Sequence, residues 1–203
     1  MNDACPPVQR VAAVILAAGE SRRFGDSKLA ATLRGRPLAQ YAIDAANAST
    51  ASDVIVVVGH RADELLPELR LGRARVVRND EYAAGQSTSL HAGIHAAEDA
   101  DAVVVLLADQ PGVRPSLIDA VIERQRVTSA AAVVCSWNRH RSPPTLIHRA
   151  LWPDVERLQG DIGARELLGH RDHVAVLEVT PAHGRLDDID LRTDLERLER
   201  GSD

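Results

Sequence analysis

The sequence predicts an α/β fold, a three-layer sandwich in which helices cover both faces of a mainly parallel, mixed sheet. Short β-branched runs alternate along the chain with longer segments of helical periodicity. Three of these runs are continuously apolar, which is typical of strands that are buried on both faces. Strands that alternate with helices indicate crossover connections and therefore mostly parallel pairing.

Each element is placed by the extent of its apolar or periodic run. The predicted strands are Ala12–Leu16, Asp53–Val58, Ala74–Arg78, Val103–Ala108, Ala131–Ser136 and Val174–Glu178. The predicted helices are Pro37–Ala48, Ala62–Leu69, Ser87–Ala97, Pro115–Thr128, Arg149–Leu158, Ala164–Gly169 and Arg192–Arg200. In open parallel sheets a functional site lies beyond the carboxyl ends of the strands. Three loops fall there: Ala17–Lys28, Asp109–Gly112 and the region after Val58.

Size and composition indicate one α/β domain over residues 1–203, with a flexible N-terminal segment over residues 1–9. The 45% apolar and 26% charged fractions are ordinary for a globular protein. A net charge of −5 and scattered arginines give no basic patch, so no nucleic-acid partner is expected. Only 2% of the residues are aromatic, which leaves few side chains for stacking on single-stranded nucleic acid.

Cysteines and apolar runs exclude several further classes. Cys5 and Cys135 form neither a disulfide framework nor a metal knuckle. The polar, proline-containing start of the chain does not resemble a signal peptide. The apolar runs are far shorter than a membrane span, so a cytoplasmic protein without a membrane partner is expected.

The first loop carries the most informative residue of the chain. Lys28 is the only lysine beside 23 arginines, so it is expected where a compact ammonium is needed rather than a guanidinium fork. The loop contains Gly19 and Gly25 and the cations Arg22, Arg23 and Lys28. A glycine-containing cationic loop after a buried strand is a common way to hold a polyphosphate.

The loop fits neither standard phosphate-binding motif. Its glycine spacing does not match G-x-G-x-x-G, and Gly25 is followed by Asp26-Ser27 where a Walker A loop has Lys-Ser/Thr. A longer loop can wrap a triphosphate with backbone N–H groups while its cations meet the outer oxygens.

The run from Leu16 to Lys28, Leu-Ala-Ala-Gly-x-Ser-x-Arg-Phe-Gly-x-x-Lys, resembles the signature loop of the MobA-like nucleotidyltransferases, and more narrowly the molybdenum cofactor cytidylyltransferase group. Further segments resemble the family in order along nearly the whole chain. They are Val58-Gly59-His60, Asn79 to Leu90, Leu107-Ala108-Asp109-Gln110-Pro111, Gly160 to Arg165 and Asp188-Ile189-Asp190. The resemblance implies a Rossmann-like sandwich of the nucleotidyltransferase (GT-A-like) type.

The resemblance also implies a reaction in which an acceptor phosphate attacks the α-phosphorus of a nucleoside triphosphate and pyrophosphate leaves. Such transfers depend on positioning and charge neutralisation. Arg23 and Lys28 would neutralise the negative charge that develops during the transfer. The same role is expected of a cationic loop on chemical grounds, independently of the family resemblance. Base and phosphates would be held by Leu16, Ala17, Ala18, Gly19 and Ser21.

Carboxylates that could hold Mg²⁺ follow a buried strand and recur near the end of the chain. Asp109 emerges at the carboxyl edge of the sheet, and Mg²⁺ prefers one or two carboxylates with phosphate oxygens and water. Asp188 and Asp190 offer a second carboxylate, and the sequence does not decide which acid of Asp187–Asp190 faces the metal. A turn residue at Asp109, or a solvated loop at Asp187–Asp190, is the simpler alternative.

Small polar residues between a strand and a helix suit contacts to a base edge or a ribose. These residues are Asn79, Gly85, Ser87, Thr88 and Ser89. The alternative for Ser87 is helix capping, and the same holds for Asp161 before its helix.

Two features bear on the substrates. Ala17-Ala18 resembles the CTP-using members, whereas guanylyl-transferring relatives tend to have Gly-Gly. On the acceptor side the stretch Arg141-Ser142-Pro143-Pro144 departs from the Gly-His-Pro of related cytidylyltransferases. The resemblance therefore implies CTP, Mg²⁺ and a phosphorylated acceptor such as molybdopterin, and a molybdoenzyme as client.

Two other hypotheses stay open: an NAD(P)H-linked reductase of the nicotine blue type, and a non-catalytic nucleotide-binding partner for molybdenum cofactor delivery.

Overall fold

The computed structural model of the chain describes residues 5–20, 24, 27–169 and 173–200. The strands within this part are β1 (Val11–Ala17), β2 (Thr32–Leu33), β3 (Arg36–Pro37), β4 (Asp53–Val58), β5 (Arg75–Arg78), β6 (Ala102–Leu107), β7 (Ala132–Trp137), β8 (His140–His148) and β9 (Val174–Glu178). The helices within it are α1 (Leu38–Asn47), α2 (Ala62–Leu65), α3 (Gln86–Ala96), α4 (Pro115–Thr128), α5 (Trp152–Val155), α6 (Ala164–Leu168) and α7 (Arg192–Glu199).

The main sheet of the described chain has seven strands in the order β5-β4-β1-β6-β8-β7-β9. β8 is antiparallel to both of its neighbours, and the other adjacent pairs are parallel. The remaining strands, β2 and β3, form a small antiparallel hairpin ahead of α1. The predicted mainly parallel, mixed sheet is therefore confirmed.

The central strand β1 shows why its apolar run is continuous. Ala13 and Ile15 pack into the core that also contains α1 and α4, whereas Ala12 and Val14 pack into the core that contains α3. All four are fully buried. Successive strand residues point to opposite faces, so a strand covered on both sides must be apolar at every position.

The structure adds the short strands β2 and β3, and the helix predicted over Ala62–Leu69 ends at Leu65 and continues as a 3₁₀ turn at Leu66–Glu68. Two further differences are larger. No strand was expected over β8, which contains Pro143 and Pro144 and pairs with β6 and β7. A helix was expected over Arg149–Leu158, but this segment forms a 3₁₀ turn at Arg149–Leu151 followed by the single turn of α5.

The N-terminal segment packs against the end of α4 where the structure describes it, and the flexible segment over residues 1–9 stays a prediction. Cys5 and Val8 are buried. The backbone N–H of Cys5 donates to the carbonyl oxygen of Ser129, and that of Val8 to Oε1 of Gln125, at the end of α4.

Among the described helices, none is both long and apolar enough to cross a bilayer.

Candidate active site

The candidate site lies where β1 and β6 end at the same edge of the sheet. Their parallel register places Leu16 opposite Leu107, and the N–H of Ala108 donates to the carbonyl oxygen of Leu16 at 3.1 Å. The loop after β1 and the turn that carries Asp109 therefore leave the sheet side by side. This is the edge at which the sequence predicted the site.

Lys28 is held between two carboxylates at this edge. Its Nζ lies 2.7 Å from Oδ2 of Asp109 and 3.2 Å from Oδ1 of Asp190. Lys28 is only 7% exposed, so its ammonium depends on these partners for the polar contacts that water gives an exposed lysine. The second oxygen of Asp109, Oδ1, is buried without a hydrogen-bond partner.

Asp190 reaches this position because its segment is tied to the sheet edge. The N–H of Ile189 donates to the backbone oxygen of Asp109 at 3.1 Å. Oδ2 of Asp194, in the first turn of α7, accepts from the N–H groups of Asp190 and Leu191 at 3.2 and 2.8 Å. Ile189 and Phe24 are buried in one small apolar cluster. The start of α7 therefore helps to set the position of the Asp190 carboxylate.

Asp188 is placed differently from its neighbour. Its Oδ1 accepts a hydrogen bond of 2.8 Å from Nε2 of Gln110, a buried side chain that also donates to Oγ of Ser142 at 2.9 Å. Desolvation of the carboxyl group, and then the nearby charge of Asp109, raise the pKa of Asp188 above its usual value. Gln110 thus links the Asp109 turn to β8 and to the C-terminal segment, a role that the sequence analysis did not assign to it.

A cavity of about 390 Å³ opens beside Lys28 and Asp109, and we call it the loop cavity. Seven of the residues predicted for the site line it: Leu16, Ala18, Gly19, Lys28, Gly85, Ser89 and Asp109. Tyr82, Ala83 and Gln86 also line it and were not predicted, although all three lie within the Asn79–Leu90 segment quoted for the resemblance.

Three residues that were predicted for the site do not line the loop cavity: Ala17, Asn79 and Ser87. Ala17 is buried in the core of the sheet. Asn79 is buried, and its side chain joins Oγ1 of Thr88, Oγ of Ser89 and the N–H of Glu81. These contacts make Asn79 a support for the cavity wall.

Ser87 lies in the first turn of α3 and is also buried. Its N–H donates to the carbonyl oxygen of Gly160, and the N-cap position of α3 belongs to Gly85, so the capping alternative for Ser87 is not observed. Ser21 and Arg23 lie outside the described residues.

A second cavity of about 560 Å³ adjoins the first and is bordered by the β7–β8 hairpin; we call it the hairpin cavity. Leu16, Gln86 and Leu107 line both cavities. The hairpin side contributes Trp137, His140, Arg141 and Ser142, and Asp188 also lines this cavity. Most of the floor is made of apolar side chains from the sheet, including Val105 and Val134.

The residues present fit a divalent cation that is shared with a ligand. Asp109 and Asp190 already converge on one cation, the Lys28 ammonium, and Asp109 retains a buried oxygen without a partner. Within the described residues, no group of three or more His, Cys, Asp or Glu side chains could hold a metal by itself. The carboxylates of Asp109, Asp188 and Asp190 thus do not form a complete metal site by themselves. Mg²⁺ prefers one or two carboxylates together with phosphate oxygens, so a bound phosphate would complete the site.

Comparisons with known proteins identify the family and the fold. Residues 13–175 match the MobA-like NTP transferase domain. Purine catabolism protein PucB of Bacillus subtilis (strain 168) is 33% identical over 200 residues, which cover 92% of this chain and 95% of that protein. The nicotine blue oxidoreductase of Paenarthrobacter nicotinovorans is 29% identical over 195 residues, covering 93% and 96% of the two chains.

Among solved structures, a nucleotidyl transferase from Methanothermobacter thermautotroptrophicus superposes with a TM-score of 0.79 at 25% identity. The superposition covers 95% of this chain and 97% of that one. Most of the chain therefore has a structural counterpart in a nucleotidyl transferase.

Proposed function

Because the chain belongs to the MobA-like NTP transferase family, we propose that it is a Mg²⁺-dependent cytidylyltransferase. It transfers CMP from CTP to a phosphorylated acceptor, for which molybdopterin is the best candidate, and releases pyrophosphate. The observation that carries this proposal is the meeting of Lys28 with Asp109 and Asp190 beside the loop cavity. One cation and two carboxylates beside a cavity of about 390 Å³ suit a triphosphate and its metal.

The chain's own groups account for binding and charge neutralisation. Gly19 in the loop gives the backbone close access to phosphates, and Lys28 supplies a point charge for the leaving pyrophosphate. Asp109 and Asp190 would hold Mg²⁺, which when bound supplies charge neutralisation at the phosphate oxygens. No side-chain nucleophile is needed, because the acceptor phosphate itself attacks.

The hairpin cavity supports an acceptor with a flat or apolar body and an anionic group. Apolar side chains of the sheet line it, Trp137 offers an aromatic face, and Arg141 offers positive charge for a phosphate. The two cavities share the lining residues Leu16, Gln86 and Leu107, so ligands in both would lie next to each other. This arrangement suits in-line attack on the α-phosphorus, and a molybdoenzyme would be the client of the product.

The proposal is tested first by binding. We expect CTP with Mg²⁺ to raise the melting temperature more than GTP, ATP or UTP, and the shift to shrink when EDTA replaces Mg²⁺. Pyrophosphate release from CTP should then depend on a molybdopterin-type acceptor and disappear in Asp109→Asn.

One alternative outcome has its own support, since a relative that covers almost the whole chain is named nicotine blue oxidoreductase. A melting-temperature shift with NADPH, and none with any triphosphate, would favour that reductase reading over nucleotidyl transfer. A shift with CTP but no pyrophosphate release with any acceptor would favour a nucleotide-binding delivery partner.

A further inference from the structure

We propose that Lys28 holds the cation position of the site in the absence of nucleotide, so that a divalent cation and the nucleotide each bind tightly only when the other is present. The Lys28 ammonium neutralises Asp109 and Asp190 until a triphosphate gives it another anionic partner. The inference deepens the proposed function and rests on the part of it that assigns a divalent cation to these two carboxylates.

The geometry shows that the ammonium occupies the place between the carboxylates. Its Nζ contacts one oxygen of Asp109 at 2.7 Å and one of Asp190 at 3.2 Å. A divalent cation bound by the same two oxygens would lie within a few ångströms of Nζ, where repulsion between the two cations is strong. The lysine and the metal therefore compete for Asp109 and Asp190.

Burial makes the exchange costly without a nucleotide. The Lys28 side chain is 8% exposed, so displacing it from both carboxylates leaves a charged group with little water around it. A triphosphate in the loop cavity removes this cost, because Lys28 lines that cavity together with Asp109. The flexible four-carbon stem of a lysine can make this exchange by rotamer changes alone.

Two consequences follow from linkage. The free metal should bind weakly to the protein alone, and nucleotide should tighten metal binding by the same factor by which metal tightens nucleotide binding. Replacing the ammonium by a neutral side chain of similar shape should give the metal direct access to the carboxylates, and should reduce this coupling.

The test is a titration with MnCl₂, followed by the electron paramagnetic resonance signal of the free aqueous ion, with and without CTP. Without nucleotide, Lys28→Met should bind Mn²⁺ roughly tenfold more tightly than the wild type, or better. Lys28→Arg, which keeps the charge, should stay weak. Adding Asp109→Asn to Lys28→Met should remove the gain.

A matched control separates occupancy from a general loss of positive charge. Arg185 pairs with Asp187 in the same C-terminal segment, so Arg185→Met removes one cation without touching Asp109 or Asp190. It should change the affinity for Mn²⁺ by less than about threefold, as expected for a screened surface charge. Lys28→Gln is a second neutral variant, to be used if Lys28→Met does not show a cooperative thermal transition.

Equal affinity for Mn²⁺ in the wild type and the neutral variants, without nucleotide, would overturn the proposal. An equal gain in Arg185→Met would overturn it as well. Failure of the proposed function would give a different result. In that case no triphosphate would tighten Mn²⁺ binding in any variant, and adding Asp109→Asn to Lys28→Met would leave the affinity for Mn²⁺ unchanged.

Discussion

Lys28 and Asp109 are 81 positions apart in the sequence, and the fold brings Nζ of the lysine to 2.7 Å from Oδ2 of the aspartate. The lysine comes from the loop after β1 and the aspartate from the turn after β6, two strands that pair in parallel. Their contact exists only because both strands end at the same edge. The first two predictions concern this pair.

Lys28→Ala should reduce turnover roughly 10²–10³-fold, by analogy with the loss of one donor from a preorganised anion-binding site. Lys28→Arg should recover only part of the activity, because the wider guanidinium cannot fit as a point charge between two carboxylates. The measurement is steady-state pyrophosphate release, with thermal melting to show that the variants are folded. Near-normal turnover of the alanine variant would make the lysine incidental to the reaction.

Asp109→Asn should lower turnover by more than about 10²-fold and should also destabilise the protein by about 1–3 kcal/mol. The stability loss is expected because the buried ammonium of Lys28 would keep only Asp190, whose side chain is 54% exposed. Asp63→Asn is the matched control, since that exposed residue pairs with Arg78 and lines neither cavity. Urea unfolding and Mg²⁺-dependent kinetics of both variants measure the two effects.

The sequence predicted the parallel part of the fold well because buried parallel strands have continuous apolar runs. It failed at β8, over which no strand was predicted and which contains Pro143 and Pro144, residues that are uncommon inside a sheet. In the structure they occupy the irregularity between the pairs Val134–Thr145 and Cys135–Ser142. Prolines are tolerated at such a bulge because no ladder hydrogen bond is required of them there.

The site was predictable to the extent that it follows the ends of parallel strands. Asp109 directly follows the predicted strand Val103–Ala108, so its place at the edge could be inferred from the strand alone. The contact of Asp190 with Lys28 could not, because it depends on backbone hydrogen bonds between an irregular segment and the Asp109 turn. Asn79 has the right chemistry for a ligand contact, but its amide group is used within its own turn.

Gly85→Ala should damage both stability and nucleotide binding. Gly85 has a φ of +117°, and a Cβ there would lie 2.2 Å from the backbone carbon of Gly160. Backbone strain and this clash together should cost about 2–6 kcal/mol. The clash would also displace Asp161, which lines the loop cavity.

Gly160→Ala is the control for this prediction. Gly160 has a φ of +69°, and a Cβ there would meet no atom within 4 Å. Only the left-handed backbone should then cost stability, about 1–2 kcal/mol. Equal losses in the two variants, measured by chemical denaturation, would show that the contact between residues 85 and 160 is unimportant.

Asp101 should make stability depend on pH at the opposite edge of the sheet. Its Oδ2 accepts from the N–H groups of Gln9 and Arg10, both at 2.8 Å. The hydrogen bond from Arg10 is the main cause that lowers the pKa of Asp101 below its usual value. A lowered pKa in the folded state means that the unfolded chain binds more protons, so this stabilisation is present above about pH 4 and is lost as the pH falls through the folded pKa.

Asp101→Asn should therefore cost about 1 kcal/mol at pH 7, and the difference from the wild type should shrink as the pH falls below about 4. Asp99→Asn, at an exposed position two residues earlier, should have little effect at either pH. Urea unfolding of the wild type and both variants between pH 3.5 and 7 measures these differences in the free energy of unfolding. A difference that stays constant with pH would mean that Asp101 acts through shape and not through charge.

The base preference should depend on Ala18 more than on Ala17. The two alanines are adjacent in the sequence, but only Ala18 lines the loop cavity, whereas Ala17 is buried in the core opposite Val58. A methyl group on the cavity wall shapes the space available to a base, and removing it makes room for a larger purine. Ala18→Gly should therefore shift the ratio of kcat/KM for CTP over GTP toward GTP.

The difference that one methyl group makes in a pocket is worth about 1–3 kcal/mol, so the shift should be partial rather than an inversion. Ala17→Gly should lower stability without changing the ratio, because it removes a buried methyl group from the core. Competition between CTP and GTP, with a molybdopterin-type acceptor, measures the ratio in the wild type and both variants. A wild type that prefers GTP, or an Ala18→Gly variant with an unchanged ratio, would contradict the assignment of the base to this wall. Nucleotidyl transfer would survive that result, since Lys28 and Asp109 act on the phosphates whichever base is bound.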